Sequence, residues 1–202
     1  MNLDIPYSIF QLMKGSITFF TGPMFCGKTL ELVRHLQIYA AQQVPTICLR
    51  PLTDTRSSRV QSRAGMSYDG LTIRDSDLNA VQEIIDRYEV IGVDEMQFFS
   101  KNLIPLLHQA ARQGKIILIS GLDADFRGEV FPSSLALLTN PETEVHRTRA
   151  VCSVCRKHNA TRTQRLKNGE PVSRNEPTIA IEGSHAEYTY EPRCVDHHVL
   201  SD

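Results

Sequence analysis

The stretch of sequence that decides the fold is Ile17-Thr18-Phe19-Phe20-Thr21-Gly22-Pro23-Met24-Phe25-Cys26-Gly27-Lys28-Thr29-Leu30-Glu31-Leu32. A short apolar, β-branched run leads into Gly22, and helix-type periodicity begins at Thr29. The letters between these points fit G-x-x-x-x-G-K-S/T, the pattern of a phosphate-binding loop between a strand and a helix. An ordinary glycine-rich turn is the simpler interpretation, but it does not explain the pair Lys28-Thr29. The stretch therefore predicts a nucleotide-binding site.

Each residue type in this loop has a chemical purpose. Gly22 and Gly27 allow the backbone to turn tightly enough for its N–H groups to face phosphate oxygens. The start of the following helix adds the positive end of a helix dipole. Lys28 is expected to reach the β and γ phosphates, and the Thr29 hydroxyl is expected to ligate Mg²⁺. The nucleotide is thus predicted to bind Gly22, Pro23, Met24, Phe25, Cys26, Gly27, Lys28 and Thr29.

A second signature is the apolar run Val90-Ile91-Gly92-Val93, which is followed by Asp94 and Glu95. In phosphate-loop proteins, an acidic residue at a strand end beside the loop reaches Mg²⁺ directly or through water. Asp94 is therefore expected to hold the metal. The residues leave two interpretations of Glu95 open: it polarises an attacking nucleophile, or it only ends the strand in solvent.

Strand-like and helix-like segments alternate along the first part of the chain. Apolar periodicity predicts helices over residues 29–43, 77–88 and 103–113, each followed by a short apolar strand. This succession predicts an α/β fold of the P-loop (RecA-like) kind, with a mostly parallel, doubly wound sheet, over residues 1–145. Ligands of such sheets lie beyond the carboxyl ends of the strands. The segments predicted to converge there are residues 22–29, 94–95 and 121–123.

Two further segments could contribute to this edge of the sheet. Residues 50–70 are polar and rich in arginine, which is typical of a solvated loop. Alternatively, Asp54 and Arg56 fold back toward the phosphates, because guanidinium groups suit phosphoryl charge. Phe126 follows the predicted rim and could stack on a base, whereas Phe98 is equally compatible with the core and with a ligand-facing position.

The last part of the chain changes character after Asn140. Residues 141–144 are typical of a connector, and two pairs of metal-ligand type follow it: Cys152-x-x-Cys155 and Cys194-x-x-His197. This is the donor set of a structural zinc site, which needs four tetrahedral soft or borderline ligands. A redox pair of cysteines would leave the second pair unexplained, and His198 is an alternative to His197 as the fourth ligand. Residues 146–202 are therefore predicted to form a small zinc-binding subdomain.

Length and composition restrict the class of protein. A chain of 202 residues fits one ordinary domain with a small appendage. No apolar run approaches the roughly 20 residues that span a bilayer, and the first residues lack a signal-peptide pattern. A net charge of −1 gives no general attraction to nucleic acids or acidic membranes, and five cysteines without a secretion signal fit a reducing compartment. We therefore expect a cytoplasmic protein with no nucleic-acid or membrane partner.

From about Gly15 to His198, the chain resembles the thymidine kinases of the cellular, zinc-containing type. The resemblance lies in residues 22–29, 54–56, 94–99 and 121–126, in Cys152-x-x-Cys155, in Thr163-x-Arg165-Leu166 and in Tyr190-x-x-x-Cys194-x-x-His197. It implies transfer of the γ-phosphoryl group of ATP to the 5′-hydroxyl of thymidine. It implies Glu95 as the general base and Asp94 as the acid on the Mg²⁺ side. It also places near the ATP phosphates and Mg²⁺ the residues Asp54, Thr55, Arg56 and Gln97.

The resemblance further implies a thymine pocket with hydrophobic walls and a covering loop. The walls correspond to Met24, Phe98, Leu122, Phe126 and Phe131. A long lasso loop of the zinc subdomain would cover the nucleoside through Thr163, Ile179, Ala180, Ile181, Glu182, Gly183 and Tyr190, with Tyr188 as a register alternative to Tyr190. Members of the family are typically homotetramers inhibited by thymidine triphosphate (dTTP), so the resemblance implies both properties here.

Three other functions are open at this point. A nucleic-acid-stimulated ATPase with a zinc ribbon would require a basic stripe, whereas the charges of this chain are balanced. An interaction module with a degenerate nucleotide fold would leave Lys28, Thr29, Asp94 and Glu95 unexplained. A kinase of another deoxynucleoside, such as deoxyuridine or a purine, would differ only in loop contacts that the sequence does not determine.

Overall fold

The structure is a computed structural model that describes residues 15–52, 59–61, 65–74, 78–178 and 188–201. Up to Arg147, the described residues contain eight strands: β1 (Ser16–Thr21), β2 (Thr46–Pro51), β3 (Arg59–Gln61), β4 (Ser67–Asp69), β5 (Leu71–Ile73), β6 (Val90–Val93), β7 (Ile116–Gly121) and β8 (Thr143–Arg147). Between them lie four helices: α1 (Lys28–Ala41), α2 (Leu78–Asp86), α3 (Leu103–Arg112) and α4 (Pro132–Leu138). Apart from β2 to β5, which follow one another without a helix among the described residues, strands and helices alternate as the sequence predicts.

Six of these strands form one central sheet in the order β5-β2-β6-β7-β1-β8. Each pair of neighbours in this sheet is parallel. Both faces are covered, since α1 packs on one side while α2, α3 and α4 contribute to the apolar cluster on the other. Burial on both faces explains why β6 and β7 read as continuous apolar runs rather than alternating ones. The predicted α/β class and mostly parallel, doubly wound sheet are confirmed.

The buried face of α1 consists of Leu32, Val33 and Leu36. Two local expectations are wrong. Arg50 was expected at the start of a polar loop, but it lies in β2 and is fully buried. Residues 143–144, expected in a connector, instead begin β8 at the edge of the central sheet.

A smaller antiparallel sheet follows, with strands β9 (Arg162–Lys167), β10 (Glu170–Pro171) and β11 (Tyr188–Arg193) in the order β10-β9-β11. A tight turn at Asn168 and Gly169 joins the first two strands, and both residues have positive φ values, 53° and 85°. This is the turn chemistry that an Asn-Gly pair predicts. The division of the chain into residues 1–145 and 146–202 stays a prediction.

Among the described residues, none of the helices is both long and apolar enough to cross a membrane.

The core predicts a large difference between two leucines in neighbouring helices. Leu107 of α3 is 0% exposed in the core beside the sheet, whereas Leu135 of α4 is 49% exposed. Leu107→Ala should lower the free energy of unfolding by about 2–5 kcal/mol, because it removes buried methyl groups and leaves a cavity. Leu135→Ala is the control and should change it by less than about 0.5 kcal/mol. Urea unfolding measures both; similar losses would contradict this assignment of the core.

Candidate active site

The carboxyl ends of β6, β7 and β1 meet at one edge of the sheet, where Asp94 lies between two hydroxyl groups. The Thr29 hydroxyl at the start of α1 donates a hydrogen bond of 3.2 Å to the Asp94 carboxylate, and the Ser120 hydroxyl donates to the same oxygen. The Thr21 hydroxyl donates to the Gly121 carbonyl at 3.0 Å and ties β1 to β7. The three segments that were predicted to converge therefore do so.

The glycine-rich loop adopts the tight turn that its sequence predicts. Gly22 has a φ of 141°, and a Cβ atom there would lie 2.3 Å from the Thr148 carbonyl oxygen, so only glycine fits. Gly27 caps α1 with a left-handed conformation. The Lys28 ammonium donates a hydrogen bond of 2.7 Å to the Pro23 carbonyl, which holds its charge over the loop. The helix N-terminus and this ammonium together make the loop suited to an anionic group.

Burial perturbs the ionisation of Asp94. The residue is 4% exposed, and this burial, together with the charge of Glu95, raises the pKa of the Asp94 carboxyl to about 6. Hydrogen bonds from Ser120, the Glu95 backbone and Thr29 oppose the shift without cancelling it. A cation beside Asp94 would favour its ionised form. The oxygen donors of Asp94 and Thr29 are the type that Mg²⁺ prefers, so these two residues could hold that ion.

Glu95 follows β6 in an unusual backbone conformation. Its φ and ψ are 55° and 46°, the left-handed region, which few residues other than glycine adopt. A short 3₁₀ helix, Met96–Phe98, begins directly after it. The Gln97 side chain of that helix donates a hydrogen bond to the Glu95 carboxylate and accepts one of 2.9 Å from the Leu122 backbone. Glu95 is partly buried beside Asp94, at the same edge of the sheet as the loop.

The predicted wall residues differ in how much surface they present. Met24, Phe98, Leu122 and Phe131 are partly buried. Phe126 is only 2% exposed, and the Arg165 guanidinium lies 3.8 Å from the centre of its ring. The part of the chain that the structure describes therefore covers one face of Phe126, and no sequence pattern indicated this stacked arginine.

Several predicted contacts lie outside the described residues. These are Asp54, Thr55 and Arg56, and, in the expected lasso loop, Ile179, Ala180, Ile181, Glu182 and Gly183. On β11, next to that loop, Tyr190 is partly buried. Tyr188, the register alternative, donates a hydrogen bond of 3.0 Å to the Glu176 carboxylate. The roles that the family resemblance implies for all of these residues stay predictions.

Thr163 makes a contact that the sequence did not indicate. Its hydroxyl, buried in β9, accepts a hydrogen bond of 3.0 Å from the Met24 backbone N–H in the glycine-rich loop. The residue just before the loop has a further partner: the backbone N–H of Thr148, which follows β8, donates a hydrogen bond of 2.8 Å to the Thr21 carbonyl. The smaller sheet and the phosphate-binding loop are therefore joined by a direct hydrogen bond. No local sequence pattern encodes a bond between residues so far apart in the chain.

The predicted metal ligands lie together as the spacing implied. Ligand atoms of Cys152, Cys155, Cys194 and His197 all lie within 4.8 Å of one another. The Cys152 sulfur is 3.8 Å from His197 Nδ1, and the Cys155 and Cys194 sulfurs are 4.0 Å apart. Tetrahedral zinc with sulfur ligands at about 2.3 Å requires separations of about 3.8 Å. The residues present therefore fit a four-coordinate metal ion.

Electrostatics in this cluster also favour a metal. Burial alone would raise the pKa of the Cys152 thiol, but backbone hydrogen bonds from Cys155, Cys194 and Val154 outweigh it and lower the pKa to about 6. A thiolate is the form that binds metal. His198, the alternative ligand, instead makes a hydrogen bond of 2.7 Å from its Nε2 to the Phe126 carbonyl.

A parallel α/β sheet with this loop, and with an acidic pair beside it, defines the class of phosphate-loop nucleotide-binding proteins, here with a four-ligand Cys/His cluster. The family model described as thymidine kinase matches residues 15–198. The chain belongs to the thymidine kinase family.

Three relatives agree with this membership. Thymidine kinase of Thermococcus kodakarensis is 38% identical over 196 residues, covering 93% of this chain and 96% of the relative. That of Coprothermobacter proteolyticus is 40% identical, covering 91% and 90%. That of Pyrobaculum aerophilum is 38% identical, covering 89% and 96%. Because each match covers about nine-tenths or more of both sequences, the similarity extends far beyond the phosphate-binding loop.

The raised pKa of Asp94 predicts a pH-dependent effect of Asp94→Asn on stability. Below pH 3.8, the ordinary pKa of an aspartate, the Asp94 carboxyl is protonated in both the folded and the unfolded protein, so its burial costs no ionisation free energy. The penalty grows as the pH rises to about 6 and is constant above it. Asparagine does not titrate, so the free energy of unfolding of the variant minus that of the unmodified protein should be larger at about pH 7.5 than at about pH 4.5.

Urea unfolding without nucleotide or divalent metal measures this difference. Asp86→Asn, which removes one negative charge from the exposed surface of α2, is the matched control. A difference between Asp94→Asn and the unmodified protein that does not change with pH, or that grows toward acid pH, would contradict the assignment.

Proposed function

We propose that this protein transfers the γ-phosphoryl group of ATP to the 5′-hydroxyl of thymidine. The observation that carries this proposal is the hydrogen bond between Thr29 of the phosphate-binding loop and Asp94, the residue next to Glu95, in a chain that belongs to the thymidine kinase family. The names of the three relatives support thymidine as the acceptor.

In this proposal the loop from Gly22 to Thr29 binds the ATP phosphates. Its backbone N–H groups and the Lys28 ammonium would neutralise charge on the β and γ phosphates. Thr29 and Asp94 would hold Mg²⁺, whose chemical contribution is further neutralisation of phosphoryl charge. The resemblance adds Asp54, Thr55, Arg56 and Gln97 to this group. Most of the acceleration would come from alignment and from this electrostatic stabilisation.

Glu95 is proposed as the general base. A primary alcohol is a poor nucleophile, so a carboxylate within hydrogen-bond reach takes its proton as the bond to phosphorus forms. The position of Glu95 supports this role, since it follows directly after Asp94 at the edge of the sheet where the loop lies. The proton would pass from the 5′-hydroxyl to the Glu95 carboxylate while the γ-phosphoryl group leaves ADP.

The nucleoside is proposed to bind between the end of β7 and the smaller sheet. The apolar walls would be Met24, Phe98, Leu122, Phe126 and Phe131. Thr163, the segment 179–183 and Tyr190 would cover the nucleoside and exclude water, which also limits hydrolysis of ATP. The hydrogen bond between Thr163 and Met24 supports this arrangement, because it brings β9 to the phosphate-binding loop.

The metal of the Cys/His cluster is proposed to be a structural zinc ion. Four protein ligands fill a tetrahedral site and leave no position for substrate, which is typical of structural rather than catalytic zinc. Residues 146–202 would then form a small subdomain whose folding depends on the metal, beside a nucleotide-binding domain of residues 1–145. From the composition we further propose a cytoplasmic location, and from the family resemblance a homotetramer that is inhibited by dTTP.

The proposed base is tested with Glu95→Gln, which keeps the shape of the side chain but cannot accept the proton. Turnover of thymidine with labelled ATP should fall by about 10²–10⁴-fold, while calorimetry shows nearly unchanged thymidine binding. Glu89→Gln, on the exposed surface before β6, is the control and should keep full activity. The unmodified protein is assayed with a panel of nucleosides, and preference for another deoxynucleoside would overturn thymidine as the substrate. If Glu95→Gln keeps most of its turnover, Glu95 is not the base.

The zinc proposal predicts about one zinc ion per chain in the purified protein. Cys152→Ser should lose that zinc and unfold at a lower temperature, because metal binding contributes folding free energy to a subdomain with little core. Cys48→Ala is the matched control, since Cys48 is buried in β2 away from the cluster. Emission spectrometry and thermal unfolding measure both quantities. Full zinc content in Cys152→Ser would contradict the ligand assignment.

A further inference from the structure

Gln97 joins the ends of two neighbouring strands at the proposed active site. It is 7% exposed, in the middle of the short helix Met96–Phe98 that follows β6. Its Nε2 donates a hydrogen bond to Glu95 Oε2, and its Oε1 accepts one of 2.9 Å from the backbone N–H of Leu122, just after β7. A single side chain therefore contacts both the proposed general base and a proposed wall of the nucleoside pocket.

The orientation of the Gln97 amide is determined by its partners. A backbone N–H can only donate, so the oxygen of the amide must face Leu122. The NH₂ group must then face Glu95, and it can only donate to the carboxylate. Since the Leu122 N–H only donates and the Glu95 carboxylate only accepts, a flipped Gln97 amide would lose both hydrogen bonds. The Glu95 carboxylate is therefore held by a donor whose direction is itself fixed.

The surrounding backbone leaves room for this bridge. A Cβ atom at Gly121 would lie 3.1 Å from Gln97 Oε1 and 3.0 Å from Met96 Cβ, so a larger residue would push the short helix away. Glu95 itself has a left-handed backbone with a φ of 55°, a conformation that surrounding contacts must maintain. The Gln97 amide supplies one such contact at the side chain of Glu95.

We propose that Gln97 is a positioning residue, which holds the Glu95 carboxylate in the orientation that accepts the proton of the nucleoside 5′-hydroxyl. This inference rests on the proposed function, because it assumes Glu95 as the base. The family resemblance placed Gln97 near the ATP phosphates and Mg²⁺, whereas its two side-chain hydrogen bonds lead to Glu95 and Leu122. The same bridge fixes the start of the segment after β7, so base and pocket wall keep a constant separation.

Loss of the two Gln97 hydrogen bonds should lower the turnover number rather than the affinity for substrate. Misplacement of a reacting group by about 1 Å costs about 10²-fold in rate, whereas substrate contacts made elsewhere are kept. Gln97→Met has a similar length and loses both hydrogen bonds. Gln97→Glu keeps an acceptor for Leu122, but it replaces the donor with a second carboxylate beside Glu95. Both variants should therefore lower kcat.

Ser133→Ala is the matched control. It removes a hydrogen bond between α4 and the short helix Met96–Phe98, and so separates a general loss of stability from a misplaced Glu95. The Ser133 hydroxyl is buried and donates a hydrogen bond of 3.0 Å to the Met96 carbonyl, with no contact to Glu95 among its hydrogen bonds. Removing it should lower the melting temperature about as much as Gln97→Met does, with kcat unchanged. A merely structural role of Gln97 would make the two variants behave alike.

The experiment measures kcat, both KM values, thymidine binding by calorimetry and the melting temperature of the full-length, zinc-loaded protein. For Gln97→Met and Gln97→Glu we expect kcat to fall by about 10- to 100-fold, with thymidine binding changed by less than about twofold. A kcat within about twofold of the unmodified protein, or a raised KM for ATP with unchanged kcat, would overturn the proposal. If Glu95→Gln is inactive while Gln97→Met is fully active, only this inference fails. If Glu95→Gln is active, the proposed base fails as well.

Discussion

The buried carboxylate of Asp94 is the contact on which the arrangement of the site depends. It accepts hydrogen bonds from Thr29 at the start of α1 and from Ser120 in β7. Because α1 continues directly from the phosphate-binding loop, one side chain sets the distance between that loop and the ends of two strands. The cost of burying this group appears in its raised pKa. A bound cation would offset that cost, which links the geometry of the site to its electrostatics.

The fold could be predicted from the sequence because its signals are local. Continuous apolar runs gave β6 and β7, and the glycine pattern placed the loop between β1 and α1. The errors lie where tertiary contacts override local composition. Arg50 reads as a loop residue, yet it is buried in β2, and the segment that reads as a connector supplies the edge strand β8.

The site was predictable to a similar extent. The spacing of cysteine and histidine predicted the metal cluster, because two ligands three residues apart form a local sequence pattern. The chemistry of the phosphate-binding loop predicted its contact with Asp94. The bridge of Gln97 between Glu95 and Leu122 was not predictable, since it depends on how β6 and β7 pair. The same holds for Arg165, whose place over Phe126 joins β9 to the segment after β7.

Strand β9 connects the Cys/His cluster to the phosphate-binding loop through hydrogen bonds. This strand lies between the two halves of the ligand set, and the Thr161 N–H just before it donates to the Arg193 carbonyl beside Cys194. Two residues further, Thr163 accepts the hydrogen bond from Met24 of the loop. A metal bound by both ligand pairs would therefore also restrain the register of β9 against the loop. Its influence on the proposed chemistry would be positional, because four protein ligands would leave no coordination position for a substrate.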